Sequence, residues 1–213
     1  MIELTKTSRM SARGDSLSSS QNKEEPAQLL VENVDLFLED ILPGPVLDLA
    51  CGGGLNGIYL ARMGVEVTCA DLSSEALEKA RDLAVEHGVG IDLWQVDLEQ
   101  EGLNPLPETA YGAILVFRYL HRPLIPCIKK ALRSGGLLIY ETFTIEQPRF
   151  GKPRNPAYLL LSGELGQMFA DWEVIYYFEG IKENPTRAVA QLVARKPTQS
   201  AGSGHTEVIT LRG

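Results

Sequence analysis

The chain has 213 residues and a mass of 23.4 kDa, which predicts a single domain with extensions. Hydrophobic residues make up 44% of it, enough to bury a core without disulfides or metals as staples. The formal net charge of −8 argues against a protein that mainly grips phosphate backbones, although it does not exclude a local basic patch. The three scattered cysteines exclude a disulfide scaffold and a four-cysteine zinc site, and they suit a reducing cytosol.

The two ends of the chain differ in composition from its middle. Residues 1–22 are polar and serine-rich, and residues 197–213 are small and polar without sustained periodicity. We therefore predict flexible tails at both ends of one domain that spans 23–196. A transit peptide is the weaker interpretation of the first tail, because Glu3 and Asp15 are acidic. The sequence has no secretory signal and no apolar run of membrane-helix length, so we expect a cytoplasmic protein without a membrane partner.

Helical and strand-like segments alternate between these tails. In chain order they predict a helix at 27–41, a strand at 46–50, a helix at 55–63, a strand at 65–70, a helix at 73–87, strands at 91–96 and 111–117, a helix at 124–132, a strand at 136–142, a helix at 158–169 and strands at 172–179 and 188–194. The last two strands are rich in Val, Ile and Tyr, which is typical of an antiparallel hairpin. We predict an α/β fold with a Rossmann-like, seven-stranded, mostly parallel sheet, helices on both faces and a C-terminal antiparallel hairpin.

The strongest signal is the glycine-rich segment that joins the first predicted strand to the next helix, VLDLACGGGLNG. Gly52, Gly54 and Gly57 fit the spacing G-x-G-x-x-G, and Asp71 ends the second strand about 17 residues after Gly54. Glycines let the backbone approach a ligand closely, and ligands of such sheets bind at the carboxyl ends of the strands. The segment therefore predicts a cofactor site at that edge.

Two cofactor classes share this geometry, the nicotinamide dinucleotides and S-adenosylmethionine. Asp48 lies inside the strand, where a carboxylate would repel a pyrophosphate and attract a cationic aminoalkyl-sulfonium group. Ala50 and Cys51 lengthen the turn compared with the dinucleotide fingerprint. Asp97 closes the third strand, so three acids with Asp48 and Asp71 surround one predicted pocket. This set favours S-adenosylmethionine.

The same residues carry a resemblance to class I S-adenosylmethionine-dependent methyltransferases, over roughly residues 26–195. The first motif of that superfamily, usually LDLGCGTG, is similar to VLDLACGGG here, and its second motif is similar to VEVTCADLSSEALEKAR. Within the superfamily, GGGLNGIYLARMG and FRYLHRPLIP resemble the tellurite-resistance methyltransferase group. That group usually has an Arg before the Asn of this loop, whereas here Leu55 precedes Asn56. The resemblance implies S-adenosyl-L-methionine as cofactor and S-adenosyl-L-homocysteine as product.

The resemblance assigns ten residues to the cofactor site: Asp48, Ala50, Gly52, Gly54, Asn56, Asp71, Leu72, Asp97, Leu98 and Phe117. It implies that Asp48 orients the glycine loop and the methionine amino group, while the loop backbone lines the methionine. Asp71 would accept hydrogen bonds from both ribose hydroxyls, and Leu72 would pack on the adenine. Asp97 would accept from the adenine amine, and the Leu98 amide would donate to a ring nitrogen.

The catalytic candidates follow the fourth and fifth predicted strands, where Phe117 would sit beneath the transferred methyl group. They are His121, Arg118 and Glu141. A sulfonium donor needs an aligned acceptor, and a general base only where the acceptor carries a proton at pH 7. His121 could be that base, or it could cap the next helix or bind a carbonyl. Glu141 could face the same pocket, or pair with Arg118 or Arg122.

The acceptor class is suggested by a long proline-containing stretch, TIEQPRFGKPRNPAYLL. Its Arg149, Lys152 and Arg154 would suit an anionic acceptor if the loop acts as a lid, although it could also be a solvated crossover. No NPPY-like motif follows the fourth strand, Cys127 is interpreted as a core residue, and no added nucleic-acid module is visible. His and Cys show no metal-ligand spacing, so we expect no metal.

The main hypothesis is a methyltransferase acting on a small, anionic or soft nucleophile: an oxyanion, a thiol or a carboxylate. One alternative is a non-catalytic S-adenosylmethionine-fold binding protein. Another is a methyltransferase that acts on protein or tRNA, and the net charge of −8 argues against a nucleic-acid acceptor. The least favoured is a short NAD-dependent oxidoreductase, because Asp48 and the lack of a Tyr-x-x-x-Lys pair oppose it. No feature of the sequence predicts an oligomeric state.

Overall fold

A computed structural model describes residues 25–38, 42–100 and 102–198. The predicted N-terminal tail and the part of the predicted C-terminal tail beyond residue 198 lie outside these ranges. Within them, every helix is too short or too polar to span a membrane.

The described residues form six α-helices and seven β-strands. The helices are α1 (Gln28–Glu32), α2 (Asp35–Leu38), α3 (Leu55–Ala61), α4 (Ser74–His87), α5 (Ile125–Ala131) and α6 (Glu164–Met168). The strands are β1 (Val46–Leu49), β2 (Val67–Asp71), β3 (Asp92–Gln95), β4 (Tyr111–Phe117), β5 (Leu132–Phe143), β6 (Glu173–Lys182) and β7 (Arg187–Arg195). Three short 3₁₀ turns cover Arg122–Leu124, Gln147–Arg149 and Pro156–Tyr158.

The seven strands form one sheet in the order β3-β2-β1-β4-β5-β7-β6. β3, β2, β1, β4 and β5 run parallel, whereas β7 is antiparallel to β5 and to β6. This confirms the predicted Rossmann-like sheet with its C-terminal hairpin. The chain steps outward from β1 to β3 and then returns to β4, so the strand order reverses between β1 and β4. Open parallel sheets bind their ligands at such a reversal, outside the carboxyl ends of the strands.

Two hydrophobic layers, one on each face of the sheet, hold the helices. β1 and β4 are buried along their whole length, as strands covered on both faces must be. One layer joins Leu47, Leu49 and their sheet neighbours to α5 and to Phe169 beyond α6. The other joins Val46 and the opposite side of the sheet to α1 and α3. The predicted placement of helices on both faces is therefore confirmed.

The longest helix, α4, begins and ends at the residues that the sequence indicates. The Ser73 hydroxyl accepts a hydrogen bond from the Ala76 N–H at 3.2 Å, and Gly88 ends the helix in a left-handed conformation. The helix predicted at 27–41 is instead divided into α1 and α2, with residues 39–41 outside the described ranges. The Asn33 side chain donates to the Leu29 carbonyl at 2.8 Å, which ends α1 early.

The helix predicted at 158–169 is the largest error in the expected elements, because α6 covers just Glu164–Met168. Leu160 forms a bridge to Thr144, and its N–H donates to the Phe143 carbonyl at 2.9 Å. This pairing keeps Leu159 and Leu160 extended after the 3₁₀ turn at Pro156–Tyr158, and tertiary hydrogen bonding overrides their helical periodicity. β5 is also longer than expected, because residues 132–135 join it ahead of the predicted strand at 136–142.

Phe169 packs under α6 against Tyr140 and Trp172, with ring centroids 6.4 and 5.1 Å away. Its side chain is fully buried, so Phe169→Ala should leave a cavity and lower the free energy of unfolding by about 3–5 kcal/mol. Urea denaturation followed by circular dichroism measures this change. Leu161→Ala, at a residue that is 61% exposed, is the matched control and should change the same quantity by less than about 1 kcal/mol. Equal losses from the two substitutions would contradict this description of the core.

Candidate functional site

The glycine loop leaves β1 at the point where the strand order reverses. Ala50, Gly52 and Gly54 all have left-handed backbone conformations, with φ of 54°, 55° and 76°. The Cys51 N–H still donates to the Ala70 carbonyl at 3.0 Å, which keeps the start of the loop against β2. A Cβ on Gly54 would lie 2.7 Å from the Ala80 Cβ, so the close approach of the loop to α4 requires glycine there.

Asp48 is a buried carboxylate at the root of this loop. Its Oδ2 accepts a hydrogen bond from the Gly57 N–H at 2.9 Å, which ties β1 to the first turn of α3. Burial raises the pKa of Asp48 to about 7; the Gly57 hydrogen bond lowers it and the charge of Asp71 raises it further. The group therefore changes charge near neutral pH, and a cation bound beside it would favour the ionised form.

Asp71 holds the other side of the loop from the end of β2. Its Oδ2 accepts from the Gly52 N–H at 2.8 Å, and its Oδ1 accepts from the Ser73 N–H at 2.9 Å. An ionised carboxylate has about four acceptor positions, so two backbone bonds leave capacity for hydroxyl donors. The predicted ribose-binding residue is therefore fixed in place and still able to accept.

The residues predicted to contact the adenine continue along the same edge. Leu72 is 62% exposed directly after β2, and the Gln95 side-chain amide donates to its carbonyl at 3.1 Å. Asp97 is exposed after β3, and its Oδ1 accepts from the Glu99 N–H at 2.9 Å. Leu98 is buried beneath this turn. The structure thus brings the predicted adenine residues to neighbouring strand ends.

The two remaining predicted cofactor residues are buried or partly buried at the same edge. The Asn56 side-chain oxygen accepts a hydrogen bond from the Ala27 N–H at 2.8 Å, which ties the start of α1 to the glycine loop. Phe117 ends β4 and is buried in the layer next to α3. Because Leu49 pairs with Val116, the glycine loop and Phe117 leave the sheet at the same level.

A cavity of about 530 Å³ opens beside them, at the carboxyl ends of β4 and β5. Its lining combines cationic, acidic, phenolic and apolar side chains: Glu99, Arg118, Tyr119, Leu120, Phe143, Lys152, Pro153 and Tyr158. Arg118 follows Phe117 with φ of 57°, and its N–H donates to the Glu141 carbonyl at 2.8 Å. A left-handed conformation is uncommon for an arginine, and the bond to β5 holds it at the mouth of the cavity.

The three predicted catalytic residues occupy different positions. Arg118 lines the cavity, whereas His121 lies partly buried at the start of the following 3₁₀ turn and makes no side-chain capping bond. Glu141 is buried, accepts a short hydrogen bond from Gln191 and lies 3.6 Å from Arg187. Pairing of Glu141 with the side chain of Arg118 or Arg122, one of the two interpretations above, is therefore wrong. The partners on β7 are brought beside it by the antiparallel register.

The proline-containing stretch forms one wall of the cavity and is held there by Arg122. The Arg122 guanidinium binds both oxygens of Glu164, at 2.6 and 2.8 Å, and donates to the Ala157 and Leu159 carbonyls. Of the three cations in the stretch, Lys152 lines the cavity, while Arg149 pairs with Glu146 at 2.6 Å.

Glu99 lines the cavity but is not among the site residues predicted from the sequence. The Tyr119 hydroxyl donates to the Glu99 carboxylate at 3.3 Å across the cavity wall. Burial, and then the charge of Glu99, raise the pKa of Tyr119, so the phenol stays protonated and keeps donating. No local pattern indicates Glu99, because it depends on the loops after β3 and β4 meeting. Among the described residues, no group of three or more His, Cys, Asp or Glu side chains could hold a metal ion.

Asp48→Asn should stabilise the protein at alkaline pH. The folded-state pKa of about 7 lies above the ordinary value of 3.8, so the contribution of Asp48 to stability is full below about pH 4 and lost as pH rises through 7. Asparagine has no such loss and can still accept from Gly57. The free energy of unfolding of the variant should exceed the wild-type value by roughly 2–4 kcal/mol at pH 8, and by much less at pH 4. Urea denaturation across this pH range measures the difference, and a pH-independent difference would contradict the assignment.

Three comparisons relate this geometry to known proteins. Residues 46–136 match a family model described as a methyltransferase domain. The chain is 26% identical over 149 residues to the probable S-adenosyl-L-methionine-dependent methyltransferase TehB of Haemophilus influenzae, covering 67% of this chain and 51% of that protein. It is 32% identical over 109 residues to the ubiquinone biosynthesis O-methyltransferase of Pasteurella multocida, covering 46% of this chain and 45% of that protein. The chain spans about half the length of these curated relatives.

Among solved structures, TehB from Haemophilus influenzae superposes with a TM-score of 0.62 at 24% identity, covering 78% of this chain and 61% of that chain. At this identity the likeness establishes the shared fold. Residues 46–136 therefore carry a methyltransferase domain, and with the two motifs at the glycine loop and β2 the comparisons support an S-adenosylmethionine-dependent methyltransferase similar to the TehB group.

Proposed function

We propose that this chain transfers the methyl group of S-adenosylmethionine to a small anionic or soft nucleophile that binds in the 530 Å³ cavity. The observation that carries the proposal is the position of this cavity. Its residue Arg118 directly follows Phe117, at the level where the glycine loop leaves β1. Donor and acceptor sites of a transferase have to meet in this way, because methyl transfer requires the two reacting atoms to be aligned and in contact.

The residues at the edge of β1, β2 and β3 fit the proposed cofactor. Bound there, S-adenosylmethionine supplies a methyl group already activated by its sulfonium charge. The buried Asp48 carboxylate, with its pKa of about 7, offers a negative charge where a cationic ligand is needed. Asp71 keeps acceptor capacity for the ribose, and the exposed Leu72 offers an apolar surface for the adenine. A pyrophosphate in the same place would be repelled by the carboxylates of Asp48 and Asp71.

The cavity lining supports an acceptor with negative charge. Arg118 and Lys152 present two cations to the cavity, against the single acid Glu99, and Leu120, Phe143 and Pro153 provide apolar surface beside them. An oxyanion, a thiolate or a carboxylate bound between the cations would be oriented without a dedicated base. An acceptor that carries a proton needs a base, and His121, which directly follows the lining residue Leu120, is proposed for that role.

Glu141 is proposed as a residue that positions Arg118. Its carboxylate is buried between Gln191 and Arg187, while its own carbonyl accepts the N–H of Arg118. The pairing with β7 holds the end of β5 in place, and the end of β5 in turn holds Arg118.

Asp71→Ala should weaken the binding of S-adenosylhomocysteine by about 10- to 150-fold, because it removes a charged acceptor and the anchor of the Gly52 N–H. Isothermal titration calorimetry measures the affinity, with NAD as the competing cofactor class. Asp82→Ala, on the exposed side of α4, is the matched control and should leave the affinity unchanged. Unchanged affinity in Asp71→Ala would reject the assigned role, and binding of NAD in place of S-adenosylhomocysteine would reject the cofactor.

Arg118→Ala and Lys152→Ala should each raise the KM for the acceptor by about tenfold or more, since each removes a charge-assisted contact. The acceptor is first found by screening thiols, oxyanions and small carboxylic acids with radiolabelled S-adenosylmethionine. Arg154→Ala, a cation of the same stretch outside the lining, is the control. Methylation of none of these classes by a protein that binds S-adenosylhomocysteine would favour the non-catalytic alternative, and turnover of a protein or tRNA would favour the macromolecular one.

A further inference from the structure

The strand β6 forms one edge of the sheet, and this edge is long and apolar. β6 has ten residues, whereas β3 at the other edge has four. Five large hydrophobic side chains of β6 are between 37% and 48% exposed: Val174, Ile175, Tyr176, Tyr177 and Ile181. A long exposed edge of this kind presents unpaired N–H and C=O groups together with apolar surface, which is typical of a surface that pairs with another strand.

The ladder with β7 determines which side chains of β6 share a face. Val174 pairs with Ala194 and Tyr176 pairs with Val193, so Ile175 is an extra residue in a bulge. The bulge reverses the alternation beyond it. On one face lie Glu173, Tyr176, Phe178, Gly180 and Lys182, and on the other lie Val174, Tyr177, Glu179 and Ile181.

We propose that β6 pairs antiparallel with β6 of a second copy of this chain, with the two-fold axis at Phe178. This register joins the two sheets into one continuous sheet and matches the residues of each face with residues of the same face. When the bulged Ile175 is left out of the count, Glu173 lies opposite Lys182 of the second copy, and Val174 lies opposite Ile181. Both matches occur twice, because the interface is isologous.

The chemistry of these pairs supports a second copy as the occupant. Glu173 and Lys182 stand at opposite ends of the strand, so antiparallel pairing brings opposite charges together at both ends of the interface. A parallel pairing in register would instead place each charge beside its own kind. In the proposed register Tyr176 also lies opposite Gly180, a residue whose missing side chain leaves room for the Phe178 ring of the same chain.

The bulge is the feature that makes the register self-consistent. In a two-fold pairing about an axis normal to the sheet, residues that face each other must lie on the same side of it. Without the extra residue Ile175, Glu173 and Lys182 would lie on opposite faces and could not meet. In the single chain the Lys182 Nζ lies 5.6 Å from the Phe178 ring centroid and 3.4 Å from the Gln191 Oε1, and in the proposed dimer the ammonium exchanges these contacts for Glu173 of the second copy.

The interface leaves the proposed cofactor site accessible. β6 is separated from β1 and β4 by β7 and β5, so the paired edge is remote from the glycine loop. Dimer formation and cofactor binding can therefore be measured separately, and failure of one does not affect the interpretation of the other.

Analytical ultracentrifugation of the full chain tests the proposal. We expect a concentration-dependent species of twice the 23.4 kDa chain mass. Glu173→Lys and Lys182→Glu should each weaken dimer association by roughly tenfold, because each places like charges opposite one another at both ends. The double variant with the two charges exchanged should restore the wild-type affinity. Glu78→Lys, on the exposed side of α4, makes the same charge change elsewhere and should have no effect.

Three outcomes would overturn the proposal. A monomer at every concentration would exclude the interface. A dimer that neither single variant weakens would place the contact elsewhere, and a double variant no better than the single ones would reject the register. Circular dichroism and urea denaturation confirm that each variant is folded, and Ile181→Asp, which buries a charge opposite Val174, provides a second and independent disruption.

Discussion

The hydrogen bond from the Gly57 N–H to the buried Asp48 carboxylate is the constraint on which the cofactor edge depends. It fixes the start of α3 to the end of β1. It also requires glycine at 57, since a Cβ there would lie 2.7 Å from the Cys69 Sγ. The second restraint, from Gly52 to Asp71, ties the middle of the loop to β2. Two carboxylates thus shape the loop while staying close enough to interact with each other, and the burial of Asp48 raises its pKa to about 7.

The carboxyl edge of the sheet divides into two regions of opposite charge. Asp48 lies near the end of β1, Asp71 ends β2 and Asp97 follows β3, whereas two cations, Arg118 and Lys152, and one acid, Glu99, line the cavity beyond β4 and β5. A cationic donor and an anionic acceptor would each bind in the region of complementary charge, and the reversal of strand order places the regions side by side. This distribution is local, so it is compatible with the net charge of −8.

The wall of the cavity depends on a small number of polar contacts. The segment between β5 and α6 has no long regular element of its own, and Arg122 binds its Ala157 and Leu159 carbonyls while pairing with Glu164. At its other end the Gln147 side chain binds the Lys152 carbonyl and the Ala188 N–H. Buried polar groups of this kind are costly when unpaired, so each of them helps to hold Tyr158 and Lys152 at the cavity.

The sequence by itself determined the alternation of strands and helices, the glycine loop and the acids at the strand ends, because these signals come from neighbouring residues and from the periodicity of each element. The tertiary structure alone decided that Leu160 pairs with Thr144 and the end of β5 instead of lying in a longer α6, that Glu99 meets Tyr119, and that Glu141 binds partners on β7. Each of these contacts joins residues that are 16 to 50 positions apart in the chain. Such contacts depend on strand order and register, which arise from packing of the whole sheet and leave no local pattern in the chain.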